Sequence, residues 1–366
     1  MGWHLKEGKP LKKNIPFVTL IGNWLVRYFS SPDVVVLSLF LMFVFVILHL
    51  FGHVLEPLLL SVGIAYVLDP LVRWLKRLKC PASLAVALVF LTFISTCIAL
   101  LLLLVPLLWH QATALVKEVP SIINQSESWL ATFLSDHPDF ISGDQFHRLT
   151  DLMHVQAVHV GKIVFSYSLS SVASLVTVVL YLVLVPTMVF FLLKDKTSIL
   201  SSSQALLPDH RSLITQVWSE VNGQIGQYIK GRVLEVLIVS LVSGVTFMLM
   251  GLPYAALMGV CLGISVIIPY VGAFLVSVPV VVLALLKWGV GMHLGIFLGV
   301  FIIIIILDAY VLVPLLFSGV LNLSPIVIIV SVIIFGSIWG FWGIFLAIPL
   351  AAAMRSVLAA IQVINH

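Results

Sequence analysis

Charge is what this sequence has least of. Lys, Arg, Asp and Glu make up 9% of its 366 residues, against roughly 25% in an average soluble domain. With 61% hydrophobic residues and a mean hydropathy of +1.20, there are too few charges to cover a water-exposed surface. That excludes a soluble enzyme and a disordered chain. Cysteine is nearly as scarce. Cys80, Cys97 and Cys261 are widely spaced, so there is no disulfide framework, CxxC pair or zinc pattern, and they read as small buried hydrophobes. No HExxH and no Walker motif occurs, so neither a metalloprotease site nor ATP drives this chain. The excess of +4 includes no basic run beside an aromatic polar surface, so nucleic acid is not a partner. No cofactor and no metal is implied.

What is abundant is long apolar runs. A bilayer span needs about 20 apolar residues, and the pattern predicts an all-α, polytopic membrane protein of about eight helices. Three spans fall in 34–108, at 34–50, 54–71 and 83–108, with a short turn between the first two. No small-x-small site follows the first run, which reads as a retained anchor. Residues 109–164 are polar, with six acids, three bases and five histidines, and form an extracytoplasmic helical region. The fourth span is 169–193, within segment 165–193. A Ser-rich turn at 201–203 and the capping residue Asp209 follow, then an amphipathic helix within 194–232, lying on the membrane or on a neighbouring subunit. Segment 233–354 holds the remaining spans: 233–250, 254–286, 294–313 and, after a turn segment at 315–324, 325–351. A single helix over 254–286 would be about 50 Å long, too long for a core of about 30 Å. Pro269, Gly272 and Pro279 interrupt it, which predicts a broken or re-entrant helix.

Lys and Arg set the orientation. Eight crossings put 16 of the 19 basic residues on one side, with the N-terminal segment 1–33, the Lys287 turn and the tail 355–366. Both termini are therefore expected in the cytoplasm. Small residues at four-residue spacing (Gly259 and Gly263; Gly291, Gly295 and Gly299), with Gly340 and Gly343, are expected to let helices approach closely, within the bundle or between copies in a homo-oligomer.

Few residues there could carry chemistry. From 233 to 354 only Glu235, Lys287 and Asp308 are charged. Intramembrane acids face a cavity or a partner. Glu235 reads as a cation or proton site, or as an interfacial partner of Arg232 or Lys230. Asp308, after a wholly apolar run, reads as a coupling-ion or substrate ligand, or as a packed carboxyl. Pro269, Tyr270 and Gly272 would free backbone carbonyls, tolerated only where buried in protein or lining a watery cavity. Ser324 precedes a helix start at Pro325. His49, His53 and Glu56 share a helical face but have no further ligand, and read as interfacial polar residues. Gly263-Ile264-Ser265-Val266 is only loosely similar to an intramembrane serine protease motif.

These stretches come in a recognisable order: Phe190-Phe191-Leu192-Leu193-Lys194-Asp195-Lys196, Gln227-Tyr228-Ile229-Lys230-Gly231, Gly251-Leu252-Pro253-Tyr254-Ala255-Ala256, Ile268-Pro269-Tyr270-Val271-Gly272, Leu323-Ser324-Pro325 and Gly340-Phe341-Trp342-Gly343. Over roughly 35–360 the chain resembles the AI-2E family of bacterial permease-like membrane proteins. The resemblance implies a multi-pass inner-membrane protein, a homo-oligomer, and either export of a small solute, autoinducer-2 in some members, or sodium or lithium/proton antiport. The family often has Leu-His-Pro where this chain has Leu323-Ser324-Pro325. That departure removes a protonatable group and shifts attention to Asp308 and Glu235. Three functions follow as expectations: solute export by alternating access, cation/proton antiport, and a non-transporting membrane scaffold or regulator. The implied partners are the lipid bilayer, a small-molecule or cation substrate, and further copies of the chain.

Overall fold

The computed structural model describes residues 32–136, 172–205, 212–269, 271–318 and 323–364. The expectations for the N-terminal segment, for the second half of the outward region (137–164), for Asp209, and for Tyr270 lie outside the described residues. Within them every element is helical. In chain order they are α1 (Pro32–Arg77), α2 (Ala82–Asp136), α3 (Val172–Lys194), α4 (Lys196–Ala205), α5 (Ser212–Leu249), α6 (Ala255–Ser265), α7 (Val271–Trp288) and α8 (Met292–Leu307). A π-turn (Asp308–Leu312), α9 (Val313–Phe317) and α10 (Pro325–Ile364) follow.

The outer surface is apolar. Leu103 is 75% and Met292 81% exposed. Facing water, such surface costs roughly 25 cal/mol per Å²; facing acyl chains it costs nothing. Among the described residues seven helices are long and apolar enough to cross a membrane, and two shorter apolar helices, Val35–Ile47 and Ala255–Ser265, accompany them. The protein is a polytopic helical membrane protein.

Several elements bend back on themselves. In α1, Leu37 clusters with Val217 of α5, while Tyr66 donates a hydrogen bond to Asn222 Oδ1, only five residues further along α5. A straight helix would separate Leu37 from Tyr66 by about 44 Å. The two halves of α1 therefore lie against the same stretch of α5. The turn expected at 51–53 is instead part of one helical element, in which Pro57 withholds a backbone donor.

The broken segment is a hairpin. α6 runs antiparallel to α5: Gly259 lies against Gly244, Gly263 against Ser240, and the carbonyl of Val266 faces Arg232. The chain turns after Val266, and α7 returns until Lys287 Nζ donates to the carbonyl of Gly251. Both ends of 254–286 thus lie at the end of the bundle where α5 stops. Lys287 lies at that end too, opposite the basic ends of α1 and α3, which corrects its expected placement on their side.

The last span also reverses. Gly340 has φ +57 and ψ −131 inside α10, a left-handed conformation that glycine adopts without the clash of a Cβ. Beyond it Gly343 packs against the carbonyl of Phe335, and Gly336 against Ile344. Ile328 and Ile348 enter one cluster with Tyr228, Ile229 and Phe317. The expected single crossing at 325–351 is therefore a hairpin with its tip at Gly340. It opens from the Pro325 end, opposite to the α6–α7 hairpin. Continuous apolar composition concealed the reversal, because neither arm contains a polar break.

Three local expectations change. The amphipathic stretch is the first half of α5, and its apolar face is covered inside the chain by Leu37, Phe317 and Ile348. The Ser-rich turn at 201–203 is helical, within α4. The segment after 313 stays helical to Phe317 before the chain turns. α2 runs far past its apolar part, and Gln111 Oε1 accepts the amide of Leu257 near the start of α6.

Candidate functional site

The core of the site is on α5. Arg232 and Glu235 are three residues apart, so they lie on one helical face. Arg232 Nη1 donates to Glu235 Oε2 at 2.7 Å, and the two side chains are 6% and 2% exposed. This pair was expected at the membrane interface. Instead, Glu235 sits 14 residues before the end of α5, about 21 Å along the helix, in the middle of the protein. The same nitrogen donates to the carbonyl of Val266 at 2.7 Å. Val266 opens the turn between α6 and α7, just past the last residue of α6. Arg232 thus ties the tip of the α6–α7 hairpin to the acid of α5. Its guanidinium also lies over two rings, 5.3 Å from the centroid of Tyr228 and 5.1 Å from that of Phe317, an arrangement worth about 2 kcal/mol when desolvated.

Asp308 is the third charged group. Its carboxylate lies in the electrostatic field of both Arg232 and Glu235, and Oδ1 is buried with no hydrogen-bond partner. Asp308 opens the π-turn between α8 and α9. Such one-turn widenings are frequent at functional sites. A buried polar oxygen without a partner costs about 1–3 kcal/mol and calls for an explanation. The three groups are two carboxyls and one guanidinium.

Backbone packing fixes the hairpin tip. A Cβ on Gly272 would overlap the carbonyl oxygen of Ser265, and one on Gly263 would overlap Ser240 Oγ. Pro269 accepts the amide of Val271 at 2.7 Å in the turn. Ser324 stands apart from this cluster: it caps α10, its Oγ 3.4 Å from the amide of Val327. Gly259 and Gly343 each lie against backbone of a neighbouring helix or arm, whereas a Cβ on Gly291, Gly295 or Gly299 would meet nothing within 4 Å. Among the described residues that stripe has no packing partner.

Among the described residues no group of three or more His, Cys, Asp or Glu could hold a metal ion. The sequence singles out both acids but gives Arg232 only a secondary place. Its three-residue spacing from Glu235 was the signal available. Nothing in the sequence marks the π-turn or the carbonyl of Val266 as Arg232's second partner.

Comparison with known proteins agrees with this architecture. The chain is 40% identical over 342 residues to the candidate permease PerM of Escherichia coli (strain K12), covering 93% of this chain and 97% of that protein. It is 27% identical over 301 residues to the candidate transport protein YrrI of Bacillus subtilis (strain 168), covering 82% and 84%. A candidate transport protein of Thermotoga maritima is 22% identical over 320 residues, covering 86% and 90%. The family model described as AI-2E family transporter matches residues 37–362, and the chain belongs to that family.

Proposed function

We propose that this protein exports a small solute by secondary transport, with the Arg232–Glu235–Asp308 cluster as the point where solute or coupling ion binds. The observation that carries this reading is the buried oxygen of Asp308, without a hydrogen-bond partner, beside a hairpin tip held by one arginine. Transporters commonly place their sites near the bilayer midplane, where interrupted helices free backbone groups. Here one hairpin enters from each end of the bundle, and the charged cluster lies beside the α6–α7 tip. Rocking of either hairpin against α5 would open the cluster to one side at a time. Asp308 is the ligand, Glu235 holds Arg232, and Pro269 and Gly272 shape the lining of the path.

A second reading, sodium or lithium/proton antiport, is favoured by the charge count. Two carboxylates against one guanidinium leave one negative charge, which a proton or a monovalent cation can balance in turn. The proposed setting is the inner membrane with both termini in the cytoplasm. It rests on the Lys and Arg bias, which stays strong after Lys287 moves to the other end: 15 basic residues against Lys117, Arg148, Lys162 and Lys287. A homo-oligomer belongs to the same reading.

Everted vesicles test it. A pH gradient is established, and sodium, lithium or potassium is added. A cation-dependent collapse, lost in Asp308→Asn, supports antiport. A proton leak that appears only with an organic solute, and is likewise lost in Asp308→Asn, supports coupled export. Wild-type behaviour of Asp308→Asn in every such assay would refute the assignment of the site.

A further inference from the structure

A cavity lies away from the charged cluster, at the end of the bundle where α1 and α3 stop. It encloses about 600 Å³ between α1, α3, α4 and α5, within the range of about 300–1,000 Å³ typical of ligand sites. Its walls are apolar, with Leu58, Val62, Leu192 and Ile199 among them, and its polar lining is Tyr66, Asp69, Lys196 and Asn222.

The polar groups are not evenly spread in charge. Tyr66 and Asn222 satisfy each other. Asp69 is held by Lys196 at 2.9 Å and by Arg73 at 3.0 Å, so two cations share one carboxylate. Lys196 and Arg73 are 50% and 60% exposed, leaving donors free to face outward. At this end of the bundle Arg73, Lys76, Arg77, Lys79, Lys194, Lys196 and Arg355 outnumber Asp69, Asp195 and Glu220 by seven to three. Trp218, half-exposed, lines the same cavity. Tryptophan gathers at membrane–water interfaces, which places the cavity at headgroup depth. α4 lies over it, with Ile199 and Leu200 among the lining and lysine and serines elsewhere in its sequence.

An apolar chamber at headgroup depth, with an excess of cations at its polar end, fits an amphiphile with an anionic head. We propose that this cavity binds one anionic phospholipid of the surrounding bilayer. An acyl chain lies against Leu58, Val62 and Leu192, and the phosphate is held by Lys196 and Arg73. Basic pockets between transmembrane helices bind such headgroups elsewhere. The assignment is independent of the transport reading.

The test is lipid retention by the full-length purified protein. Delipidated protein is titrated with phosphatidylglycerol or phosphatidylcholine, and bound lipid is counted by native mass spectrometry. One phosphatidylglycerol should bind about thirty-fold more tightly than phosphatidylcholine, as expected for two headgroup-facing cations. The preference should vanish in the doubly neutralised Arg73→Gln/Lys196→Gln and persist in Lys117→Gln, which lies at the other end. Val62→Trp, which fills the cavity, should abolish binding of both lipids. The charge variant alters exposed side chains only, so it remains informative if Val62→Trp fails to fold. Equal retention of the two lipids, or a preference that survives charge neutralisation, would overturn the proposal. So would displacement of the lipid by a solute that the protein then transports, which would make the cavity a substrate vestibule.

Discussion

Removing Arg232 alone should be more damaging than removing Arg232 and Glu235 together. In Arg232→Gln, Glu235 is left as a buried charge without its partner. Breaking a buried pair in this way costs about 3–5 kcal/mol, because the remaining ion has lost its water and gained nothing in exchange. The carbonyl of Val266 also loses a charged hydrogen bond, worth about 1.5–3 kcal/mol. These figures overlap, since one nitrogen makes both bonds at 2.7 Å. In Arg232→Gln/Glu235→Gln the stranded charge is gone, and the remaining deficit is mainly the Val266 bond, about 1.5–3 kcal/mol. Glu235→Gln alone should be mildest, about 1 kcal/mol, because the amide oxygen still accepts from Arg232 and Asp308 still provides negative charge. The assay is equilibrium unfolding of detergent-purified protein by SDS titration, with all four proteins compared at one protein concentration. The predicted order of loss is Arg232→Gln, then the double variant, then Glu235→Gln. A double variant as unstable as Arg232→Gln would refute the electrostatic account, leaving lost packing on Tyr228 and Phe317 as the cause. An Arg232→Gln within about 0.5 kcal/mol of wild type, the ordinary range for surface substitutions, would refute the pair's importance altogether.

Two further predictions follow from the same geometry. Gly272→Ala and Gly263→Ala push a methyl group into the backbone or side chain of a neighbour and should lower stability by at least about 1–3 kcal/mol, with a sharp fall in monodisperse protein on size exclusion, whereas Gly295→Ala should leave monomer stability unchanged. Asp308→Asn removes a buried charge whose Oδ1 lacks a hydrogen-bond partner and should leave stability equal to or above wild type in the SDS titration; a loss of several kcal/mol would instead identify Asp308 as a structural carboxylate.

How far the sequence could be read depended on whether an interruption carries a chemical mark. The α6–α7 hairpin was legible because Pro269 and Gly272 break a run too long for one crossing. The α10 hairpin was not, because Gly340 turns the chain between two arms that are both apolar, and hydropathy averages over them. The bend in α1 has the same character: polar residues near 53–57 suggested a turn, but the chain stays helical through it. Glu235 and Asp308 stood out as acids in an apolar setting, where insertion costs a few kcal/mol. That both bear on one arginine was not legible, since 73 positions separate them and no motif links α5 to the π-turn. The glycine stripe at 291–299 illustrates the converse. Its spacing is that of a packing motif, yet among the described residues it faces nothing.

The most direct test of the transport site is whether water reaches it from both sides of the membrane. In a variant lacking Cys80, Cys97 and Cys261, Asp308→Cys would be exposed to a membrane-impermeant maleimide in right-side-out and in everted vesicles. Alternating access through the two hairpins predicts labelling from both sides, with changes of pH or cation shifting the balance from one side to the other. A cysteine that stays unlabelled from both sides, in protein that remains folded, would contradict a transport site at this position and make the Arg232–Glu235–Asp308 cluster a dry structural clamp.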